Sequence, residues 1–222
     1  MEADRRGRFV TFEGPEGSGK TTIAARLAAS ATGVGLDVVL TREPGGTRLG
    51  EAIRGVLLAD ADAGSDGAGE GAMTARAEAL LFNAARAELV EAVIAPALAR
   101  GALVVCARFA DSTLAYQGFG RGLPLGDLRS VERFATGGVG PDLTIVLDLP
   151  IEVGLARKGI EETTRFEGLD AAFHRRVREG FLELARAEPE RFSVVDASRE
   201  PDEVFTEVRG LVAERLGLSL RG

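Results

Sequence analysis

The chain has 222 residues, 45% hydrophobic and 27% charged, which suits one α/β domain with a sizeable core. Its net charge of -7 argues against a nucleic-acid surface, and the single cysteine, Cys106, excludes an internal disulfide and fits a reducing compartment. The start, Met1 to Arg8, is polar, and no apolar run approaches the roughly 20 residues that span a bilayer, so a cytoplasmic protein without a membrane partner is expected.

Five short apolar runs read as buried parallel strands: Phe9 to Phe12, Val38 to Thr41, Leu103 to Cys106, Leu143 to Leu149 and Phe192 to Val195. Helical patterns separate them. Ser18 to Ala31 follows the first strand and Leu49 to Leu58 the second. Thr74 to Arg100 is a long alanine-rich stretch that Pro96 bends or restarts. Asp111 to Phe119 and Leu125 to Thr136 follow the third strand. Ile151 to Lys158, Ala171 to Ala187 and Pro201 to Leu216 complete the set. This alternation predicts a five-stranded parallel sheet covered by helices on both faces, with residues 1–222 forming a single domain. Ala61 to Ala72, rich in Gly, Ala and acidic residues, reads as a surface loop, because the alternation resumes on both sides of it. Cys106 ends an apolar run and reads as a core residue.

The chemistry is concentrated first at Gly14-Pro15-Glu16-Gly17-Ser18-Gly19-Lys20-Thr21-Thr22. Its first eight residues match the phosphate-binding pattern G-x-x-x-x-G-K-[ST], set between a strand and a helix. Glycines let backbone N–H groups turn inward around phosphate oxygens, and the helix start adds positive partial charge. Lys20 brings a mobile point charge to the terminal phosphates of a triphosphate such as ATP, and Thr21 offers a hydroxyl to Mg²⁺. Arg42 and Arg108 each follow a strand, where the ends of a parallel sheet face the ligand crevice. Phe82 and Arg86 are four residues apart and share one helix face. His174, the only histidine, reads as a surface or packing residue.

Further segments carry a resemblance. Thr41-Arg42-Glu43-Pro44-Gly45-Gly46-Thr47, the helix Glu78 to Arg86, Asp111-Ser112-Thr113-Leu114-Ala115-Tyr116-Gln117-Gly118-Phe119-Gly120-Arg121-Gly122 and Pro141 to Asp148 resemble segments of bacterial thymidylate kinases. Phe12 to Thr22 is similar to their phosphate loop, and the likeness runs from about Arg8 to Glu207. It implies a P-loop kinase fold with a short lid over residues 158–167 and the reaction ATP + dTMP → ADP + dTDP. It further implies that Arg108 clamps the monophosphate and that Glu16 lies near the sugar 3′-hydroxyl, with Glu43 a weaker candidate for the same pocket. Phe82 would stack on the base while Arg86 donates to a base carbonyl. Arg42, Arg54, Thr113 and Gln117 would border the thymidylate, and Tyr116 would lie where a 2′-hydroxyl projects. Arg165 would close over the transferring group, with Arg157 assisting. A homodimer is the family's usual assembly.

The pattern departs from the family after the third strand. Ala107-Arg108-Phe109 stands where relatives have Asp-Arg, so a carboxylate that helps hold Mg²⁺ is missing. Asp148 and Glu16 are the substitutes the sequence offers. Thr164 replaces an Asp in the lid. Two other readings stay open here: a kinase for another monophosphate or a deoxynucleoside, and a nucleotide-binding protein without transfer activity.

Overall fold

A computed structural model of the chain describes residues 6–58, 73–158 and 170–220. The elements run β1 (Arg8–Glu13), α1 (Lys20–Gly33), β2 (Val38–Arg42), α2 (Arg48–Leu58), α3 (Ala75–Leu89), α4 (Ala95–Ala99), β3 (Leu103–Ala107), α5 (Ala110–Thr113), α6 (Leu125–Thr136), β4 (Leu143–Asp148), α7 (Ile151–Lys158), α8 (Ala171–Ala187), β5 (Phe192–Asp196) and α9 (Pro201–Leu216). All strand pairs are parallel, in the order β2-β3-β1-β4-β5.

Side chains alternate across the sheet with a period of two, and both alternating sets are apolar because both faces are covered. Val10, Phe12, Leu103, Val105, Leu143, Ile145, Leu147 and Val195 pack on one face against Ile23 and Leu27 of α1 and Val204, Val208 and Val212 of α9. Phe9, Val104 and Cys106 face the other way, against Leu89, Ile94 and Leu98. Val146 and Phe192 share that second face with Phe173, Val177 and Phe181 of α8. Cys106 is fully buried, and burial pushes its thiol well above the usual range, as a core residue requires. His174 is buried, edge-on to Phe173 with ring centroids 5.5 Å apart, so it packs and does not face solvent.

Local chemistry sets the helix ends. Thr74 Oγ1 accepts from the Ala77 N–H at 3.3 Å to start α3, and the Asp170 carboxylate accepts from the Phe173 N–H at 2.6 Å to start α8. The predicted stretch from Thr74 to Arg100 differs in its middle. Residues Val90–Ile94 form a π-helical turn, with the Ala95 N–H bonded to Val90 O. Pro96 lacks an N–H and crowds the carbonyl four residues back, and widening the preceding turn relieves both. A second π-helical segment, Leu114–Gly120, follows α5 within the predicted Asp111–Phe119 helix. The predicted loop Ala61–Ala72 and nearly all of the lid lie outside the described residues.

Candidate active site

β1 and β3 lie side by side at the sheet centre, but the chain leaves them in opposite directions, toward β2 and toward β4. Ligands of open α/β sheets bind at such a reversal, beyond the strands' carboxyl ends. The phosphate loop leaves β1 there, and Arg108 leaves β3 there. Gly14 has φ +134°, and a Cβ on it would lie 2.4 Å from Leu147 O. Gly17 has φ +71°, and a Cβ there would lie 2.1 Å from Gly154 O. Only glycine lets the loop seat this tightly on β4 and α7. Lys20 Nζ curls over its own loop, donating to Gly14 O at 3.0 Å, Pro15 O at 2.6 Å and Ser18 Oγ at 3.1 Å.

The facing wall is built of side chains. Arg108 has φ +68°, making it the one non-glycine residue in the left-handed region among the described residues. Two contacts hold that turn to β1: the Arg108 N–H donates to Phe12 O at 2.9 Å, and the Phe109 N–H donates to Glu13 Oε1 at 2.7 Å. Ser112 Oγ donates to Glu13 Oε2 at 2.6 Å. Glu13 is fully buried, and burial, with Asp111 adding to it, pushes its carboxyl up to about 7 against the opposing pull of Ser112 and Arg108.

The Arg108 guanidinium donates to Glu16 Oε1 and, at 3.3 Å, to the Tyr116 hydroxyl, which itself donates to Glu16 Oε1 at 2.8 Å. Burial raises the Tyr116 phenol far above its ordinary value, and Arg108 opposes this only in part. The phenol therefore stays a proton donor throughout the neutral range.

Deeper in the wall lies a buried ion pair, Glu43 Oε2 to Arg86 Nη2 at 2.8 Å. Burial pushes Glu43 up to about 7 even with Arg86 beside it. Arg86 is 1% exposed and makes four hydrogen bonds, to Glu43 Oε2, Asn83 Oδ1, Phe109 O and Thr113 Oγ1. Of its five N–H groups, one on Nη1 remains.

One cavity of about 430 Å³ opens between loop and wall. Of the residues expected at the acceptor, Glu16, Arg42, Glu43, Arg54, Phe82, Arg108, Thr113, Tyr116 and Gln117 line it. Gly17, Gly19, Lys20, Thr21 and Thr22 line it from the loop, and Arg157 from α7. Arg86 does not line it and sits behind Glu43 and Thr113. Arg165 lies outside the described residues.

Asp148 is a correction. Both its oxygens are taken by Arg178, Nε at 2.7 Å and Nη2 at 2.8 Å, and it is not among the cavity's lining residues. A fork of this kind commits a carboxylate, so it does not replace the acid missing at 107. Glu16, the other substitute, is committed to Arg108 and Tyr116. Thr21 and Ala107 both line the cavity, and no cluster of three or more Asp, Glu, His or Cys that could hold a metal occurs among the described residues. This donor set fits a Mg²⁺ held by the Thr21 hydroxyl, waters and phosphate oxygens, without a carboxylate at 107.

Sequence reasoning assigned no role to Glu13, Ser112 or Glu78. Register could have found two of them. Glu13 follows Phe9 and Thr11 on one strand face, and Glu78 stands four residues before Phe82 and eight before Arg86 on one helix face.

Comparison with known proteins agrees with this geometry. The family model described as thymidylate kinase matches residues 12–208. The thymidylate kinase of Deinococcus radiodurans is 51% identical over 213 residues, covering 95% of this chain and 98% of its own. That of Thermomicrobium roseum is 52% identical over 208 residues, covering 93% and 94%. The crystal structure of thymidylate kinase from Ehrlichia chaffeensis matches with a TM-score of 0.73 at 33% identity, over 93% of this chain and 99% of that one. Phosphate loop, Arg108 turn and buried acceptor wall all fall inside the matched span, and the chain belongs to the thymidylate kinase family.

Proposed function

We infer that the chain transfers the γ-phosphoryl group of ATP to dTMP, giving ADP and dTDP. The observation that carries this is a cavity with an anion-binding loop on one wall and Arg108 on the other. Two polyanions brought together need cations between them, and Lys20 and Arg108 stand on the two sides. The attacking atom is an oxygen of the dTMP phosphate. With a second pKa of about 6 that phosphate is largely dianionic at neutral pH, so no general base is needed. Catalysis then consists of alignment and charge neutralisation by Lys20, Arg108, the loop N–H groups of Gly14 to Thr22 and, from the lid, Arg165. Mg²⁺ bound with ATP would supply further neutralisation, with Thr21 its protein ligand.

In this reading Phe82 stacks on the thymine, and Arg86, from just behind the lining residues Glu43 and Thr113, turns its remaining Nη1–H to a base carbonyl. Arg42, Glu43, Arg54, Thr113 and Gln117 complete the acceptor pocket. Glu16 faces the 3′-hydroxyl, and Tyr116 fills the space a 2′-hydroxyl would need. The elements act as one nucleoside monophosphate kinase domain, since helices on both faces pack on the one sheet. Coupled ADP release with dTMP, dUMP, dCMP and dGMP across a Mg²⁺ titration tests the assignment. ATP binding without transfer to dTMP at saturating Mg²⁺ would overturn it.

A homodimer is part of the same reading. Phe134 of α6 is 92% exposed and Leu80 of α3 57%, on two helices that pack together. Light scattering should give twice the 23.3 kDa chain mass. The reading places the enzyme in the cytoplasm. Among the described residues no helix is long and apolar enough to cross a membrane.

A further inference from the structure

Glu78 is fully buried on α3, does not line the cavity, and has no part in the transfer chemistry described above. A carboxylate kept entirely from water needs a reason, because its desolvation is unfavourable unless hydrogen bonds and countercharge compensate. Its contacts supply one. Gln117 Nε2 donates to Glu78 Oε1 at 2.6 Å, and Arg121 Nη2 lies 3.6 Å from Oε2 as countercharge. Gln117 is 1% exposed, lines the cavity, and belongs to the π-helical segment that also carries Tyr116.

An amide side chain has two chemically opposite halves, and its orientation follows from its partners. Glu78 Oε1 accepts from Gln117 Nε2, so Glu78 takes the NH₂ half of the amide and leaves its carbonyl half, Oε1, to the cavity that Gln117 lines. A carbonyl presented there accepts from a ring N–H and repels a ring nitrogen lone pair. The imide N3–H of thymine or uracil matches it, and the bare N3 of cytosine does not.

We propose that Glu78 is a positioning residue for base selection: through its hydrogen bond it fixes the polarity of the Gln117 amide, so that the pocket accepts an imide and rejects an amidine edge. The proposal rests on dTMP being the acceptor. Arg121 supports it as the cation beside the second Glu78 oxygen, 3.6 Å from Oε2. Glu78 acts only through Gln117 and touches no substrate.

The test is Glu78→Gln. A neutral amide at 78 both donates and accepts, so Gln117 is free to turn and present its NH₂ half. The KM for dTMP and dUMP should rise together, by about tenfold, with kcat within threefold, while the kcat/KM ratio of dTMP to dCMP falls by about tenfold or more. The parallel rise for dUMP separates the base edge from any effect at the 5-methyl. Glu78→Gln added to Gln117→Ala should change that ratio no further, because the two act as one unit. An unchanged ratio in a folded Glu78→Gln variant, or losses that add in the double variant, overturns the proposal. Should Glu78→Gln fail to fold, NMR of the wild-type Gln117 side-chain amide reads the same point. Its carboxylate-bonded proton should keep its shift when dTMP binds, and a large move would show that the amide turns. A wild-type enzyme inactive on dTMP would instead sink the kinase assignment, which the variant ratios do not address.

Discussion

The two walls of the cavity do similar electrostatic work by different means. From Gly14 to Thr22 the loop presents backbone N–H groups shaped by glycine, and its cationic side chain, Lys20, rests on the loop itself. The acceptor wall is made of side chains already joined to one another: Arg108 with Glu16 and Tyr116, Arg86 with Glu43 and Thr113, Gln117 with Glu78. A triphosphate is a generic ligand, and backbone dipoles suffice for it. A particular nucleoside needs donors and acceptors fixed at particular points, and buried pairs fix them. The wall is thus pre-organised at the expense of burying charge, as raised carboxyl values at Glu13 and Glu43 attest.

The comparison can be broken most forcefully at Arg108. Arg108→Ala should lower kcat/KM for dTMP by about 10³ while leaving the KM for ATP within roughly threefold, since the lost cation belongs to the acceptor side. Steady-state kinetics with each substrate varied in turn checks it, and an equal rise in both KM values would mean the walls are not separable. Lys20→Ala is the mirror experiment. We expect kcat to fall by about 10² with the KM for dTMP little changed. Ala107→Asp comes next. It returns a carboxylate beside Thr21 and should lower the Mg²⁺ concentration for half-maximal rate by about tenfold. Mg²⁺-dependent binding of a fluorescent ATP analogue offers a readout independent of turnover, and no change in either would mean that phosphates and waters already suffice.

The smallest effect on rate concerns pH and stability. Glu13 and Glu43 titrate near 7 in the folded chain against an ordinary 4.5. The folded state therefore keeps protons that the unfolded chain gives up. The stabilisation these groups provide is full below pH 4.5, is lost as pH rises to about 7, and levels off beyond. Urea denaturation should show a decline on the order of 3 kcal/mol per group across that window. Glu43→Gln should flatten part of it, and an identical slope in the variant would contradict the assignment.

The strands and the phosphate loop were legible in the sequence because their signals are local: apolar runs, glycine spacing, a lysine before a threonine. Strand ends pointed to Arg42 and Arg108, but the roles of the acceptor residues were legible only through family likeness, since they come from separate segments that the sheet order brings together. Glu13 and Glu78 are legible only through register with their buried neighbours, because the identity of an acidic residue does not by itself say whether it is solvated or buried. Asp148 misled for a related reason. Its partner Arg178 stands 30 residues away on another element, and nothing local announces the pair. Pro96 marked an irregular helix, but that the chain answers with a wider turn at Val90–Ile94 depends on how α3 and α4 lie on the sheet.

The hydrogen bond from the Phe109 N–H to Glu13 has a consequence for how the molecule matures. Its partners are 96 residues apart, whereas Lys20 reaches its loop partners within six. Closing so long a stretch carries an entropic cost that only completed β1–β3 pairing repays. During refolding, the Lys20 contacts within the loop should form among neighbours, while the nucleoside pocket and the seat of the loop on β4 and α7 wait for the sheet. Recovery of dTMP binding is thus a late clock for the whole domain, and it should trail the return of helical signal.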